Sequence, residues 1–98
     1  MILCNAIKIP TTTASGSASG TFNSTGLCHQ IIIKPATGTT MYNFTLTSAN
    51  SVDIYKLTSE SGTVNDLSLI VPFYKVMSWS IDSATADEAF TIYLGVQN

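Results

Sequence analysis

The sequence predicts an all-β domain, an antiparallel β-sandwich or jelly-roll of about seven short strands. Apolar and polar residues alternate with a period of two through most of the chain, which is the spacing of a strand with one buried face. No pattern of helical period continues for more than a turn, and turn-forming residues separate the alternating segments. The chain has 98 residues, a length that fits one domain, residues 1–98.

The first half of the chain contains four predicted strands. Ile2 to Ile9 is the first and ends at Pro10. Leu27 to Lys34 includes three consecutive isoleucines and is apolar on both faces, which is typical of a central strand or of one held against a partner subunit. Met41 to Thr47 alternates regularly, and Val52 to Leu57 follows it after a four-residue polar link. The last two segments therefore predict a β-hairpin.

Three further strands are predicted in the second half. Leu67 to Val71 ends at Pro72. Tyr74 to Ile81 alternates in a way that places Trp79 in the core. Phe90 to Val96 has the most regular alternation of the whole chain. With the four earlier segments, these complete the seven-strand prediction.

The segment between the first two predicted strands is unusual in composition. Residues 11–21 are Thr, Ala, Ser and Gly only, which predicts a loop or linker. Because a long loop is uncommon inside a compact domain, residues 1–10 are a possible N-terminal strand arm that pairs with a neighbouring subunit. An ordered crossover is the alternative. The candidate interface residues of the arm are its apolar side chains, Ile2, Leu3, Ile7 and Ile9.

The charge of the chain argues against several classes of function. It has six acidic residues, four lysines and no arginine, for a net charge of -2, whereas 12 Ser and 14 Thr carry hydroxyls. The lysines are isolated from one another, so we expect no nucleic-acid partner. No apolar run reaches the roughly 18 residues of a membrane helix, and the N-terminus lacks the pattern of a secretory signal peptide. We therefore expect synthesis in a cytoplasm and no membrane partner.

The residues with catalytic chemistry are few. Cys28 and His29 are adjacent, and neighbouring residues on a strand point to opposite faces, so we expect no nucleophile and base pair there. Alternation places His29 on the same face as Leu27 and Ile31. Cys4 and Cys28 are expected to be reduced thiols that pack as small apolar groups, with a single disulfide as the alternative. The sequence predicts no enzyme and no cofactor.

Two other groups of side chains have competing interpretations. The acidic residues near the C-terminus match no calcium-loop spacing, so solvated loop acids are favoured over a metal site; they are Asp82, Asp87 and Glu88. Three tyrosines fall opposite or beside the apolar stripes, and either pack between the sheets or stack sugars on an exposed platform; they are Tyr55, Tyr74 and Tyr93.

A resemblance adds to these patterns. The order of short Thr-rich strands and small-residue turns resembles that of small β-sandwich virion structural proteins of tailed bacteriophages; the segments are Ile33 to Pro35, Thr40 to Phe44, Val52 to Tyr55, Asp82 to Thr85 and Phe90 to Leu94. The resemblance implies a virion location and a capsid decoration (cement) protein. Such a protein binds the shell and stabilises it by bridging capsomers through oligomeric β-sandwich contacts.

The resemblance also implies partners. They are a homo-oligomer, with a trimer favoured, and the major capsid protein or another virion protein. A small phage tail or fibre component is one alternative function. A carbohydrate-binding or adhesin-like β-sandwich module is the other.

Overall fold

Alternating apolar side chains lead nine segments of the described residues to form strands, most of which pack one face against the core. The computed structural model describes residues 4–38, 40–48, 50–67 and 69–97 and contains no helix within them. Its strands are β1 (Cys4–Thr12), β2 (Ala18–Asn23), β3 (Gly26–Pro35), β4 (Met41–Thr47), β5 (Asp53–Ser61), β6 (Val64–Asp66), β7 (Val71–Phe73), β8 (Val76–Asp82) and β9 (Ala89–Gln97).

These strands form two antiparallel sheets, which confirms the predicted all-β sandwich. Sheet 1 has the order β1-β9-β3-β6, and β7 also pairs with β3, beside β6. Sheet 2 has the order β2-β8-β4-β5. The predicted hairpin is confirmed, because β4 pairs with β5 from Met41 to Thr47. Within the described ranges there are nine strands, compared with the seven predicted.

The inner faces of the two sheets form a single core. Ile31, Ile33, Phe44, Leu46, Ile81 and Ile92 are completely buried, and edge-to-face aromatic pairs connect the sheets. The ring centroids of Tyr42 and Phe90 are 5.1 Å apart and those of Phe22 and Phe73 are 5.4 Å apart. Such pairs favour one orientation of each ring and add to the hydrophobic effect. Trp79 is 6% exposed, so its predicted core position is confirmed.

Residues 11–21 are mostly strand, so the loop or linker prediction was wrong for most of this segment. Residues 11 and 12 end β1, residues 18–21 begin β2, and only residues 13–17 turn between the sheets. The small residues of this segment allow close packing. A Cβ atom added to Gly20 would lie 2.9 Å from two atoms of the Trp79 ring, so the indole lies directly against the β2 backbone. Small residues, which are typical of linkers, are therefore also found where a side chain packs closely on a strand backbone.

Two other segments of the structure differ from the sequence prediction, because apolar and polar residues do not alternate regularly there. The predicted strand from Leu67 to Val71 is replaced by the short strands β6 and β7 on either side, and Leu67 and Ile70 are 62% and 74% exposed. In β3 the register against β9 shifts between Cys28 and Gln30, so His29 is the extra residue of a β-bulge. The bulge separates Leu27, which is exposed, from Ile31, which is buried; the predicted common face of Leu27, His29 and Ile31 was wrong.

Candidate functional site

The Cys28 thiol is a packed core group. Its side chain is fully buried, and Sγ donates a hydrogen bond to the Gln30 carbonyl oxygen at 3.4 Å. Burial raises the pKa of the Cys28 thiol, which lowers the fraction of reactive thiolate at neutral pH. The neighbouring His29 has a buried Nε2 atom with no hydrogen-bond partner among the described residues. Neither side chain has the geometry of an activated nucleophile and its base.

The acidic loop before β9 contacts two turns of the sandwich, the β3–β4 turn through Glu88 and the β1–β2 turn through Thr13. Asp82 and Asp87 are exposed, whereas Glu88 is 8% exposed and its Oε2 accepts a hydrogen bond from the Thr37 backbone N–H at 2.6 Å. Within the described ranges, no group of three or more His, Cys, Asp or Glu residues could hold a metal ion. The Glu88 side chain therefore connects the β3–β4 turn to this loop.

Thr13 is the centre of the contact with the β1–β2 turn. It is completely buried, its Oγ1 donates a hydrogen bond to the Thr85 carbonyl oxygen at 2.6 Å, and the same oxygen accepts one from the Glu88 backbone N–H at 3.1 Å. The backbone N–H of Thr13 donates to the Glu88 carbonyl oxygen at 2.9 Å, and the Asp87 N–H donates to the Thr13 carbonyl oxygen at 2.7 Å. Backbone and side-chain hydrogen bonds thus connect one residue of the β1–β2 turn to the loop.

The three candidate tyrosines lie in different places. Tyr55 packs edge-to-face on Phe44, and its hydroxyl donates a hydrogen bond to Asp66 Oδ2 at 3.3 Å, so its ring belongs to the interior. Tyr74 is 64% exposed in the turn before β8. Tyr93 lies in the middle of β9, on the outer face of sheet 1. The three rings therefore form no common platform.

The outer face of sheet 2 carries a regular array of hydroxyls, which we call the hydroxyl face. Two rows cross β2, β8 and β4, because the strand register places Ser19, Ser80 and Thr45 side by side in one row. The second row is Thr21, Ser78 and Thr47. Neighbouring strands of a sheet are about 4.8 Å apart, so these hydroxyls form a closely spaced uncharged surface.

The outer face of sheet 1 has a different character, and we call it the Tyr93 face. Its middle row is Lys8, Tyr93 and Ile32; the rows on either side are Ala6, Gly95 and Gln30, and Pro10, Thr91 and Lys34. The Lys8 Nζ atom is 5.9 Å from the centroid of the Tyr93 ring.

Two hollows flank the Tyr93 ring. One has a volume of about 250 Å³ and is lined by Ala6, Gln30, Ile32, Tyr93, Leu94 and Gly95. The other has a volume of about 240 Å³ and is lined by Lys34, Pro35, Ala36, Ala89, Thr91 and Tyr93. Tyr93 was predicted from the sequence as a candidate platform residue, whereas the residues around it were not. They come from three strands, and only the pairing register brings them together.

The candidate interface residues of the N-terminal strand have separate locations. Ile7 and Ile9 are partly buried against the core, and β1 pairs with β9 of its own chain along nine residues. Ile2 and Leu3 lie outside the described residues. β1 is an edge strand of sheet 1, with one side facing away from β9.

No helix among the described residues is long and apolar enough to cross a membrane.

Comparisons with known proteins show only distant similarity. No family model matches the chain, and no curated protein matches it. A chain in the structure of infectious bursal disease virus Gx strain aligns with 99% of this chain and 31% of its own length, at 8% identity and a TM-score of 0.40. A chain in the structure of the Gt strain aligns with 98% of this chain and 32% of its own, at 7% identity and a TM-score of 0.38. This chain spans about a third of each, and similarity at this level carries no argument about function.

Proposed function

We propose that this protein is a structural component of a virion, a capsid decoration protein that binds the shell surface as a homo-oligomer. The observation that supports the proposal best is the hydroxyl face, an array of Ser and Thr side chains across three strands. The resemblance in strand order to small structural proteins of tailed bacteriophages agrees with it. A small tail or fibre component is the alternative within the same class.

The hydroxyl face has the chemistry of a contact surface in a packed assembly. Each hydroxyl both donates and accepts hydrogen bonds, so it pairs with a partner's backbone or with interfacial water in more than one orientation. The two rows contain no charged side chain on β2, β8 or β4, and on β5 they end at Lys56 and Asp53, which carry opposite charges. Charge is therefore confined to the edge of the face, where two such surfaces meet little like-charge repulsion. A protein that stays free in solution usually relies on surface charge to keep its copies apart.

Binding to particles tests the role of the hydroxyl face. We expect the intact protein to co-sediment with purified virions of its source, and Ser80→Lys to reduce co-sedimentation strongly because it buries a charge in the centre of the contact. Thr58→Lys is the matched control, since it adds the same charge at an exposed position of β5 outside the face. Equal binding of the two variants, or absence of the protein from purified particles, would contradict the proposal.

Oligomer formation is proposed through the N-terminal strand, with a trimer favoured. In this arrangement β1 pairs with β9 of a neighbouring copy, and Ile2, Leu3, Ile7 and Ile9 supply the apolar contacts. The paired positions Thr12 and Ala89 test it, because Cα atoms opposite each other in a β-ladder lie within disulfide range.

The experiment uses Thr12→Cys with Ala89→Cys in a Cys4→Ser background. Strand exchange predicts disulfide-linked oligomers on a non-reducing gel and a matching mass by light scattering. A disulfide that forms only at monomer mass would overturn the exchange and leave the proposed particle binding untouched.

A further inference from the structure

The hollows on the Tyr93 face arise from the size of the neighbouring residues. Tyr93 has Gly95 two residues after it and Thr91 two residues before it on the same face of β9. Ala6 lies opposite Gly95 on β1. Because these neighbours are small, the tyrosine ring projects above them and leaves a hollow on each side, of about 250 and 240 Å³. Each hollow is smaller than the roughly 300 Å³ of a small drug pocket, so it fits one ring-sized unit.

The first hollow is almost entirely apolar. Ile32, Ala6 and the Tyr93 ring line it, and Gln30 adds mainly nonpolar surface to its wall. The C–H face of a sugar ring fits such a hollow, while the sugar hydroxyls remain in solvent at its rim. A tyrosine ring is suited to such a ligand because it combines an apolar face with a polar end.

The charge of the Tyr93 face selects an anionic ligand. Lys8 and Lys34, two of the four lysines in the chain, lie on this face, one beside Tyr93 and one at the second hollow. The rows that define the face contain no carboxylate. The chain as a whole has a net charge of -2, so the positive charge of this surface is local. A ligand with carboxylates spaced along its length would meet Lys34 at the second hollow and Lys8 beside the Tyr93 ring, which lines both hollows.

We propose that the Tyr93 face binds an acidic saccharide, a chain of uronate sugars with one ring in each hollow beside Tyr93. The tyrosine ring separates the two sugar subsites, and Lys8 and Lys34 pair with the sugar carboxylates. This site is independent of the proposed virion role, because it uses the outer face of sheet 1 and leaves the hydroxyl face of sheet 2 free.

A titration with two matched oligosaccharides tests the site. The probes are cellohexaose and the hexaglucuronate of the same linkage, which differ in the C6 carboxylates, and binding is followed by ¹⁵N–¹H NMR of the intact protein. We expect the uronate chain to shift the amide signals of Lys8, Gln30, Tyr93 and Gly95. The neutral chain is expected to bind at least about tenfold more weakly, and added salt to reduce the difference.

Variants separate this site from general charge attraction. Tyr93→Ala is expected to weaken uronate binding by about tenfold, and Ala6→Leu, which fills the first hollow from an exposed position without removing any contact of the core, by a similar factor. Tyr74→Ala is the control, because Tyr74 also has a lysine at its ring, with the Lys75 Nζ atom 5.1 Å from the centroid, but lines neither hollow.

Three results would overturn the proposal. The first is that neither probe shifts any signal up to its solubility limit. The second is that the Tyr74→Ala variant loses as much binding as the Tyr93→Ala variant. The third is that polyaspartate binds as tightly as the uronate chain and shifts the same amides, which would assign the surface to acidic peptides.

Discussion

Removing the Thr13 hydroxyl is expected to destabilise the whole sandwich. Thr13→Val keeps the shape of a completely buried side chain but removes the oxygen that donates to the Thr85 carbonyl and accepts from the Glu88 N–H. A neutral hydrogen bond contributes about 1 kcal/mol, and a buried donor without a partner costs about 1–3 kcal/mol. We therefore expect a loss of about 2–4 kcal/mol in the free energy of unfolding, which adds the lost bond to Thr85 to the unpaired N–H of Glu88.

The assay is equilibrium unfolding in urea followed by the fluorescence of Trp79, the single tryptophan, which is buried in the core. For a domain of this size the loss corresponds to a fall in Tm of roughly 10–25 °C. Thr12→Val is the matched control, since Thr12 is exposed in β1 and the substitution is the same. Surface changes are usually within about 0.5 kcal/mol. If Thr13→Val is no less stable than Thr12→Val, the anchoring role assigned to this hydroxyl is wrong.

Three further changes have defined outcomes. Gly20→Ala places a Cβ atom 2.9 Å from the Trp79 ring, so we expect a loss of about 1–3 kcal/mol on urea unfolding and a shifted Trp79 emission maximum. His29→Leu removes a buried Nε2 that has no partner among the described residues, so its urea midpoint is expected to equal or exceed that of the wild type. Burial, and to a lesser degree the nearby Glu60, raises the pKa of Tyr42 to about 12. The neutral phenol is thus favoured in the folded state, and this contribution to stability is present below the ordinary pKa of 10 and is lost as the pH rises towards 12. Base titration followed by circular dichroism is expected to show less of this loss in Tyr42→Phe.

Each of these expectations has a result that contradicts it. For Gly20, the control is Gly38→Ala, where an added Cβ meets nothing within 4 Å, and equal stability of the two variants would refute the contact argument. A clear loss of stability in His29→Leu would mean that Nε2 has a partner after all. For Tyr42, alkaline unfolding curves that coincide in the wild type and the phenylalanine variant would show that its ionisation is not coupled to folding.

The alternating strands were predictable because each buries one face. Met41 to Thr47 and Phe90 to Val96 alternate with a period of two, and both are strands in which every second residue lies in the core; these residues are Tyr42, Phe44, Leu46, Phe90, Ile92, Leu94 and Val96. A one-residue shift in such a strand would move every apolar side chain to the surface, so the pattern determines the register. The same reasoning placed Trp79 in the core.

Other features depend on contacts that a sequence does not display. The bulge at His29 reverses the faces of β3, and no local pattern distinguishes it from continuous alternation. Gly20 packs closely on Trp79, and this contact lies in a strand whose composition is typical of a linker. The Tyr93 face assembles Lys8, Tyr93 and Ile32 from β1, β9 and β3, so it exists only once these strands are paired.

The division of one edge of sheet 1 into β6 and β7 limits how the protein can polymerise. Each of these strands has three residues, and exposed residues lie between them, so this edge offers only short runs of backbone to an incoming strand. The opposite edge, β1, is nine residues long. Edge-to-edge addition of a strand to sheet 1 is therefore expected at β1 and disfavoured at the divided edge. A sheet that offers one long edge instead of two has fewer ways to grow into an open fibril.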